Sequence, residues 1–243
     1  MTSVEFQATV RPYARRRGSE SVEPQAAAAA PADGSARRAL NLAVAAAGVR
    51  AAAPLMLLIA IVIKITSRGP AIYTQPRVGI DRRTVGGHRN HRRRNDIGGR
   101  PFTMYKFRTM RASPTAAEAQ MWASPDDPRV TTVGRFLRKY RLDELPQLFN
   151  VLRGDMNIVG PRPEQPRIFQ ELKAKIAQYP HRQRVLPGIT GWAQINHHYD
   201  ACVDDVKRKV AYDLEYIARC SAGEDFKIML RTLPVIAFKK GAW

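Results

Sequence analysis

Asp143 and Glu144 are the residues of this chain whose types and spacing could carry chemistry. They stand side by side in Arg138 to Pro163, RKYRLDELPQLFNVLRGDMNIVGPRP, just ahead of Leu145, Leu148, Phe149 and Leu152, which recur at the spacing of one helical face. The pattern predicts a helix of about three turns with the two carboxylates at its start. Asp143 is a good N-cap type, Pro146 is tolerated in a first turn, and Gly154 suits the C-terminal end. Carboxylates in that position feel the positive pole of the helix, worth roughly 0.3–1 kcal/mol in favour of the ionised form. An ionised aspartate can act as a nucleophile, and a neighbouring glutamate can hold a divalent metal through oxygen. A plainer reading competes, in which Asp143 only caps and Glu144 forms a solvated surface with Arg141. The surroundings separate the two. Arg138, Lys139, Arg141 and Arg153 flank the acids, and Gly160-Pro161-Arg162-Pro163 follows as a stiff turn carrying one guanidinium. Arginine suits bidentate phosphate contacts, so the stretch reads as a carboxylate pair inside a cationic pocket for a phosphorylated substrate.

The rest of the chain must bring those residues together. Its 243 residues are enough for one globular core plus appendages, and a formal net charge of +19 selects anionic partners. Nucleic acid, an acidic membrane face and phosphorylated small molecules all qualify on charge alone. Cys202 and Cys220 lack CxxC spacing, so neither a disulfide framework nor a zinc site is expected, and a reduced cytoplasmic setting suits them. Residues 1–38 are polar, basic or rich in Ala and Pro and read as a disordered tail, not a secretory signal.

From Ala39 to Ile65 almost every residue is apolar, a stretch longer than the ~20 residues needed to cross a bilayer. Three features argue against a plain span. Arg50 falls near the middle, where insertion costs about 2.5–3.5 kcal/mol. Pro54 interrupts helical hydrogen bonding. Basic residues flank both ends, Arg37 and Arg38 before, Lys64 and Arg68 after. A helix over residues 39–66 that bends near Pro54 and leaves by the face it entered satisfies all three, because Arg50 then lies shallow. An ordinary single-pass helix is the plainer alternative.

Beyond it, Ala71 to Thr74 and Phe102 to Phe107 read as short strands able to pair. Between them, Arg82 to Arg100 is a basic insertion loop, either solvated or lying on anionic headgroups. No nucleic-acid partner is expected, since no aromatic residues alternate with its arginines to stack bases. Helical spacing recurs in Val133 to Tyr140, which carries Arg138 toward Asp143, and in Ile168 to Tyr179, whose stripe suits either core packing or the headgroup layer. Phe226 to Phe238 reads as an interfacial helix ending near Trp243. Pro187-Gly188-Ile189-Thr190-Gly191 is a glycine turn whose N–H groups could face a phosphate. His88 and His91 read as polar loop residues rather than metal ligands, and His197 and His198, whose types suit metal or acid–base chemistry, are adjacent and so point apart on a strand or turn.

LDELPQLFNVLRGDMNIVGPRP, together with KFRTM at Lys106 to Met110 and PGITGWAQIN at Pro187 to Asn196, resembles the bacterial sugar transferases, the monotopic polyprenyl-phosphate sugar-1-phosphate transferases. Three motifs in the family's order, spread from about Gly69 to the C-terminus, make the match specific. The resemblance implies an α+β fold: a membrane-embedded re-entrant helix, then a mainly helical catalytic domain over residues 67–243, with amphipathic interfacial helices and a small β-hairpin. It implies transfer of a sugar-1-phosphate from a UDP-sugar to polyprenyl phosphate at the cytoplasmic face of the bacterial inner membrane, initiating exopolysaccharide or other glycoconjugate synthesis. Asp143 would attack the sugar-proximal phosphorus, Glu144 would hold Mg²⁺, and Lys106, Arg108, Arg138 and Arg162 would contact phosphates. Gln194 and Asp213, the latter within Tyr212 to Tyr216, join them as substrate-binding residues. Membrane lipids are further partners, and a homodimer is left open. Two positions depart from the family. Ala53 stands where a Ser usually precedes the Pro, and Leu186 where a basic residue often precedes Pro187, so that anion contact is either missing or supplied by Arg182 or Arg184. The rival is a non-catalytic membrane-surface adaptor, or an RNA binder acting through Arg82 to Arg100; it leaves Asp143, Glu144 and the GPRP turn without a role.

Overall fold

A single long helix, α1 (Ser35–Thr66), opens the computed structural model, which describes residues 34–82, 98–111, 127–196 and 203–237. It starts earlier than the expected boundary at residue 39, and the reason lies far away in sequence. Arg37, expected as a flanking charge, is buried and donates from Nε to Asp225 Oδ2 at 2.9 Å. Arg38 donates from Nη1 to Met156 O and to Asn157 Oδ1, each at 2.9 Å. These contacts extend the helix into residues that look like a tail. The helix also stays continuous through Pro54, where a bend was expected; losing one backbone bond does not end a helix of this length. By length and composition α1 could cross a membrane.

After α1 comes the expected hairpin. β1 (Ile72–Val78) pairs antiparallel with β2 (Pro101–Phe107) in the register Ile72 to Phe107 through Val78 to Pro101. β1 is longer than Ala71 to Thr74 because Pro76 stays within it, which a two-stranded ribbon allows on its outer edge. α2 (Thr132–Lys139) is capped by Thr131, whose side chain accepts from the Gly134 N–H at 2.9 Å. Its Leu137 packs with Met56, Ile59 and Ile63 of α1 and with Phe107, while Phe136 and Tyr140 stay at the surface with their rings 4.8 Å apart.

The chain then reverses at Arg141, whose φ of 53° is left-handed, and forms a 3₁₀ turn at Leu142–Glu144. A short helix, α3 (Gln147–Arg153), ends on Gly154 at φ 86°, as expected for a C-terminal glycine. β3 (Asn157–Val159), α4 (Pro166–Lys175), a 3₁₀ helix at Tyr179–Arg184 and β4 (Gly188–Thr190) follow. β4 lies parallel to β3, a pairing absent from the sequence reading. α5 (Trp192–Asn196), α6 (Val203–Arg219) and α7 (Ala222–Ala237) complete the described chain.

Three apolar clusters hold these pieces. The largest joins Ala45 of α1, Val151 of α3, Val159 of β3, Tyr216 of α6 and Ile228 of α7, so α1 is part of the domain's core. The second buries Phe169 and Ile176, which settles the stripe of Ile168 to Tyr179 as core packing. In α7, Ile228 is buried while Phe226, Leu230 and Leu233 are exposed. The expected α+β class, mainly helical with one small hairpin and a long apolar N-terminal helix, is present. Most of the tail, most of the Arg82 to Arg100 loop, His197, His198, Cys202 and Trp243 lie outside the described residues.

Candidate active site

Strand alternation on β2 turns Tyr105 and Phe107 toward α1 and Lys106 to the other face. There Lys106 Nζ meets Glu144 Oε1 at 3.0 Å. The GPRP turn brings Arg162, whose Nη2 donates to the same oxygen at 2.8 Å, and Arg141 Nη1 stands 4.0 Å from Glu144 Oε2. This turn is braced along its backbone. The Gly160 N–H donates to Thr190 O at 2.9 Å and the Gly188 N–H to Pro161 O at 3.0 Å. Arg182 donates to Arg162 O and Arg77 to Pro163 O, each at 3.0 Å. The two glycine turns touch so closely that a Cβ on Gly188 would lie 2.1 Å from the Gly160 nitrogen. Pro187 to Gly191 is therefore a brace for the GPRP turn. The Gly188 N–H, expected to face a phosphate, is spent inside the protein.

Asp143 does not cap a helix as expected. It lies within the 3₁₀ turn, closed by Glu144 N–H to Arg141 O at 3.2 Å and Leu145 N–H to Leu142 O at 3.3 Å, and Pro146 precedes α3 without a side-chain cap. The helix pole thus gives the pair no support, and the cations set its charge. Both carboxylates are mostly buried. Burial works to raise the pKa of Glu144, but Arg162, Lys106 and Arg141 outweigh it and hold the carboxyl well below its usual range. Asp143 goes the other way: burial raises its pKa, Lys106 pulls it back only in part, and Glu144 pushes it further up. Among the described residues no hydrogen bond reaches the Asp143 carboxylate. The pair is thereby split into a fixed anion and an unencumbered, more basic carboxylate, the kind of divergence that separates roles in a site.

The other candidates divide. Arg138 Nε donates to Thr109 Oγ1 at 2.9 Å, and its charge acts on Asp143. Gln194 donates to Ile189 O at 3.0 Å, and its buried Oε1 has no partner among the described residues. It lines a cavity of about 180 Å³ beside Glu144, with Arg141, Leu145, Thr190 and Thr232. Arg108 is not in the site. It donates to Arg68 O at 2.7 Å and Ser67 O at 2.9 Å, capping the end of α1. Asp213 is sealed in a pair with Arg182 at 2.6 Å. Burial opposes the Arg182 charge, but Asp213 and Tyr179 more than offset it. Arg182 therefore cannot supply the missing anion contact before Pro187; through its bond to Arg162 O it positions the GPRP turn instead. Sequence reasoning missed this role, and that of Arg77, because partners 20 and 86 residues apart leave no local signal.

For magnesium the donor set is small. Glu144 Oε1 is held by Lys106 and Arg162, which leaves Glu144 Oε2 and the Asp143 oxygens. Among the described residues no group of three His, Cys, Asp or Glu side chains could hold a metal alone. Mg²⁺ commonly takes one or two carboxylates and completes its shell with phosphate oxygens and water, so these residues suit an ion held largely by a phosphorylated substrate.

Fold and site together define an α+β protein with one long apolar N-terminal helix and a split carboxylate pair in a cationic pocket. The chain belongs to the bacterial sugar transferase family, whose model matches residues 32–239. It is 41% identical over 212 residues to undecaprenyl-phosphate glucose phosphotransferase of Komagataeibacter xylinus, covering 85% of this chain and 37% of that protein. It is 39% identical over 206 residues to the UDP-N-acetylgalactosamine-undecaprenyl-phosphate N-acetylgalactosaminephosphotransferase of Aeromonas hydrophila, covering 85% of this chain and 44% of that protein. A UDP-glucose:undecaprenyl-phosphate glucose-1-phosphate transferase of Caulobacter vibrioides is 39% identical over 212 residues, and there the match covers 72% of the relative. The chain thus spans under half the length of the first two.

Proposed function

We propose that this protein transfers a sugar-1-phosphate from a UDP-sugar to polyprenyl phosphate at the cytoplasmic membrane face, through a covalent aspartyl intermediate, and so begins synthesis of an exopolysaccharide or related glycoconjugate. One observation carries the reading: among the described residues no hydrogen bond reaches the Asp143 carboxylate, whose basicity is raised, beside a Glu144 immobilised by Lys106 and Arg162. An Asp143 carboxylate oxygen attacks the sugar-proximal phosphorus, and the phosphoanhydride bond to UMP breaks. A phosphate oxygen of the acceptor then attacks the same phosphorus, the aspartyl bond breaks, and the carboxylate is regenerated. Single-step transfer with Asp143 as general base is less apt, because a phosphate monoester is already largely ionised near pH 7 and has little need of a base. Lys106, Arg162 and Arg138 balance the charge of the diphosphate. Glu144 would hold Mg²⁺ together with the substrate, and the ion would supply Lewis-acid neutralisation of the phosphate charge.

The substrates follow the names of the relatives, which pair UDP-glucose or UDP-N-acetylgalactosamine with undecaprenyl phosphate. A re-entrant α1 is supported by its two ends. The first turn is tied to Asp225, and Ser67, which follows the last turn, is tied to Arg108, so both ends of the helix lie beside the same domain. The test is Asp143→Asn with labelled UDP-sugar. We expect loss of UMP release, with the wild type retaining label on the protein when acceptor is withheld. An Asp143→Asn enzyme of near-normal turnover refutes the covalent route.

A further inference from the structure

An apolar groove lies between α1, the hairpin and the N-terminal half of α3. Val49, Ala53 and Leu57 of α1 form one wall, Ile72 and Phe107 of the hairpin another, and Phe149 of α3 a third; its volume is about 540 Å³. That lies within the about 300–1,000 Å³ of sites that take small molecules. A groove this apolar at the surface of a cytosolic protein would be a liability, yet it adjoins the exposed leucines and isoleucines of α1, the helix long and apolar enough to enter a bilayer. It is therefore open to lipid.

The groove also leads to the site. Pro146 lines it and is three residues from Asp143, at most about 10 Å along the chain. Tyr105 and Phe107 line it and bracket Lys106, which faces Glu144. Arg153 stands at its Tyr105 edge, its guanidinium 5.7 Å from that ring. An apolar groove with the Arg153 guanidinium at one edge, and with a lining residue only three positions from the reactive carboxylate, has the charge order of an amphiphile with one anionic head. We propose that it seats the isoprenoid tail of the acceptor, laying the chain along α1 and delivering its phosphate to Asp143. The inference rests on the transferase reading and adds to it where the second substrate lies. It also gives Ala53 a use: a small residue there leaves room for the tail.

The experiment uses the full chain in nanodiscs. Ala53→Phe narrows the groove at an exposed helix position, and Phe149→Ala removes the opposite wall. Exchange of labelled UMP into UDP-glucose or UDP-N-acetylgalactosamine needs no acceptor and reports an intact fold and donor site. We expect Ala53→Phe to keep exchange and to raise KM for undecaprenyl phosphate about tenfold, equal to about 1.4 kcal/mol, while KM for short-tailed citronellyl phosphate is unchanged. Phe149→Ala should raise the long-chain KM in the same sense. A polyprenyl phosphate carrying a diazirine in its tail should label the α1 segment from Val49 to Ala60, a readout independent of turnover. Equal effects on both acceptors, no effect on either, or labelling elsewhere overturns the groove assignment. Absence of UMP exchange in the wild type overturns the covalent route instead, absence of product with acceptor overturns the transferase reading, and the labelling result still decides the groove.

Discussion

Replacing Asp225 by Asn asks whether α1 is a separable anchor or a piece of the core. Asp225 and Arg37 are 0% and 3% exposed in their side chains, and around them close Tyr216, donating to Asp225 Oδ1 at 2.7 Å, and Asn41, donating to Oδ2 at 2.9 Å. Asn keeps the volume and one acceptor but leaves the Arg37 charge buried without an opposite charge. Removing one member of such a pair costs about 3–5 kcal/mol. A domain of this kind holds only about 5–15 kcal/mol in all, so the loss is a large share. At about 2–4 °C per kcal/mol for chains of this size, Tm should fall by about 6–20 °C. Thermal unfolding of the detergent-solubilised full chain measures it. Adding Arg37→Met removes the stranded charge, and the double variant should recover much of the loss, which a merely bulky or misfolded site would not do. If Asp225→Asn shifts Tm by under about 2 °C, or the double variant is simply additive, α1 does not share the domain's core energetics.

The remaining predictions concern the site. Turnover needs Asp143 ionised, and its pKa is raised, so the acid limb of kcat/KM against pH should lie above the ordinary aspartate range, with activity rising as pH passes through it. Glu144→Gln removes a charge that pushes Asp143 up and releases Lys106 and Arg162 toward it, so the limb should move to lower pH while the maximal rate falls; a limb that stays put refutes the coupling. Arg108→Ala should leave kcat within about twofold and show its cost in Tm, because Arg108 caps α1 outside the pocket; Lys106→Ala should do the reverse.

The site's residue types were legible in sequence, and their partners were not. Asp143, Glu144, Lys106, Arg138 and Arg162 do converge, since long motifs name them, but that Lys106 and Arg162 clamp one glutamate oxygen is set by a hairpin and a turn meeting across 38 and 18 residues. The Leu145 to Leu152 periodicity predicted one helix. The chain makes a 3₁₀ turn and then α3, because the left-handed Arg141 starts the turn early, at a conformational cost of about 1–2 kcal/mol that local propensity does not foresee. β3 and β4 were invisible, three residues each being too few for any period to register. Arg37 and Arg38 misled most. Two arginines before an apolar run read as topology signals, yet both are committed to partners more than 110 residues away.

Those commitments bear on how the site meets the membrane in the proposed reading. A straight helix of 32 residues would be about 48 Å long, more than the ~30 Å of a bilayer's hydrocarbon core. Both of its ends nevertheless touch one domain, and its middle does too: a Cβ on Gly48 would stand 3.2 Å from Leu148 of α3. α3 follows directly on the turn that holds Asp143 and Glu144. The height of the reactive carboxylate relative to lipid is then fixed by side-chain packing between α1 and α3, with no linker to absorb error. A bulkier residue at Gly48 must either displace the Leu148 side chain or lift α3, and with it the pair, away from the helix that enters the membrane in this reading.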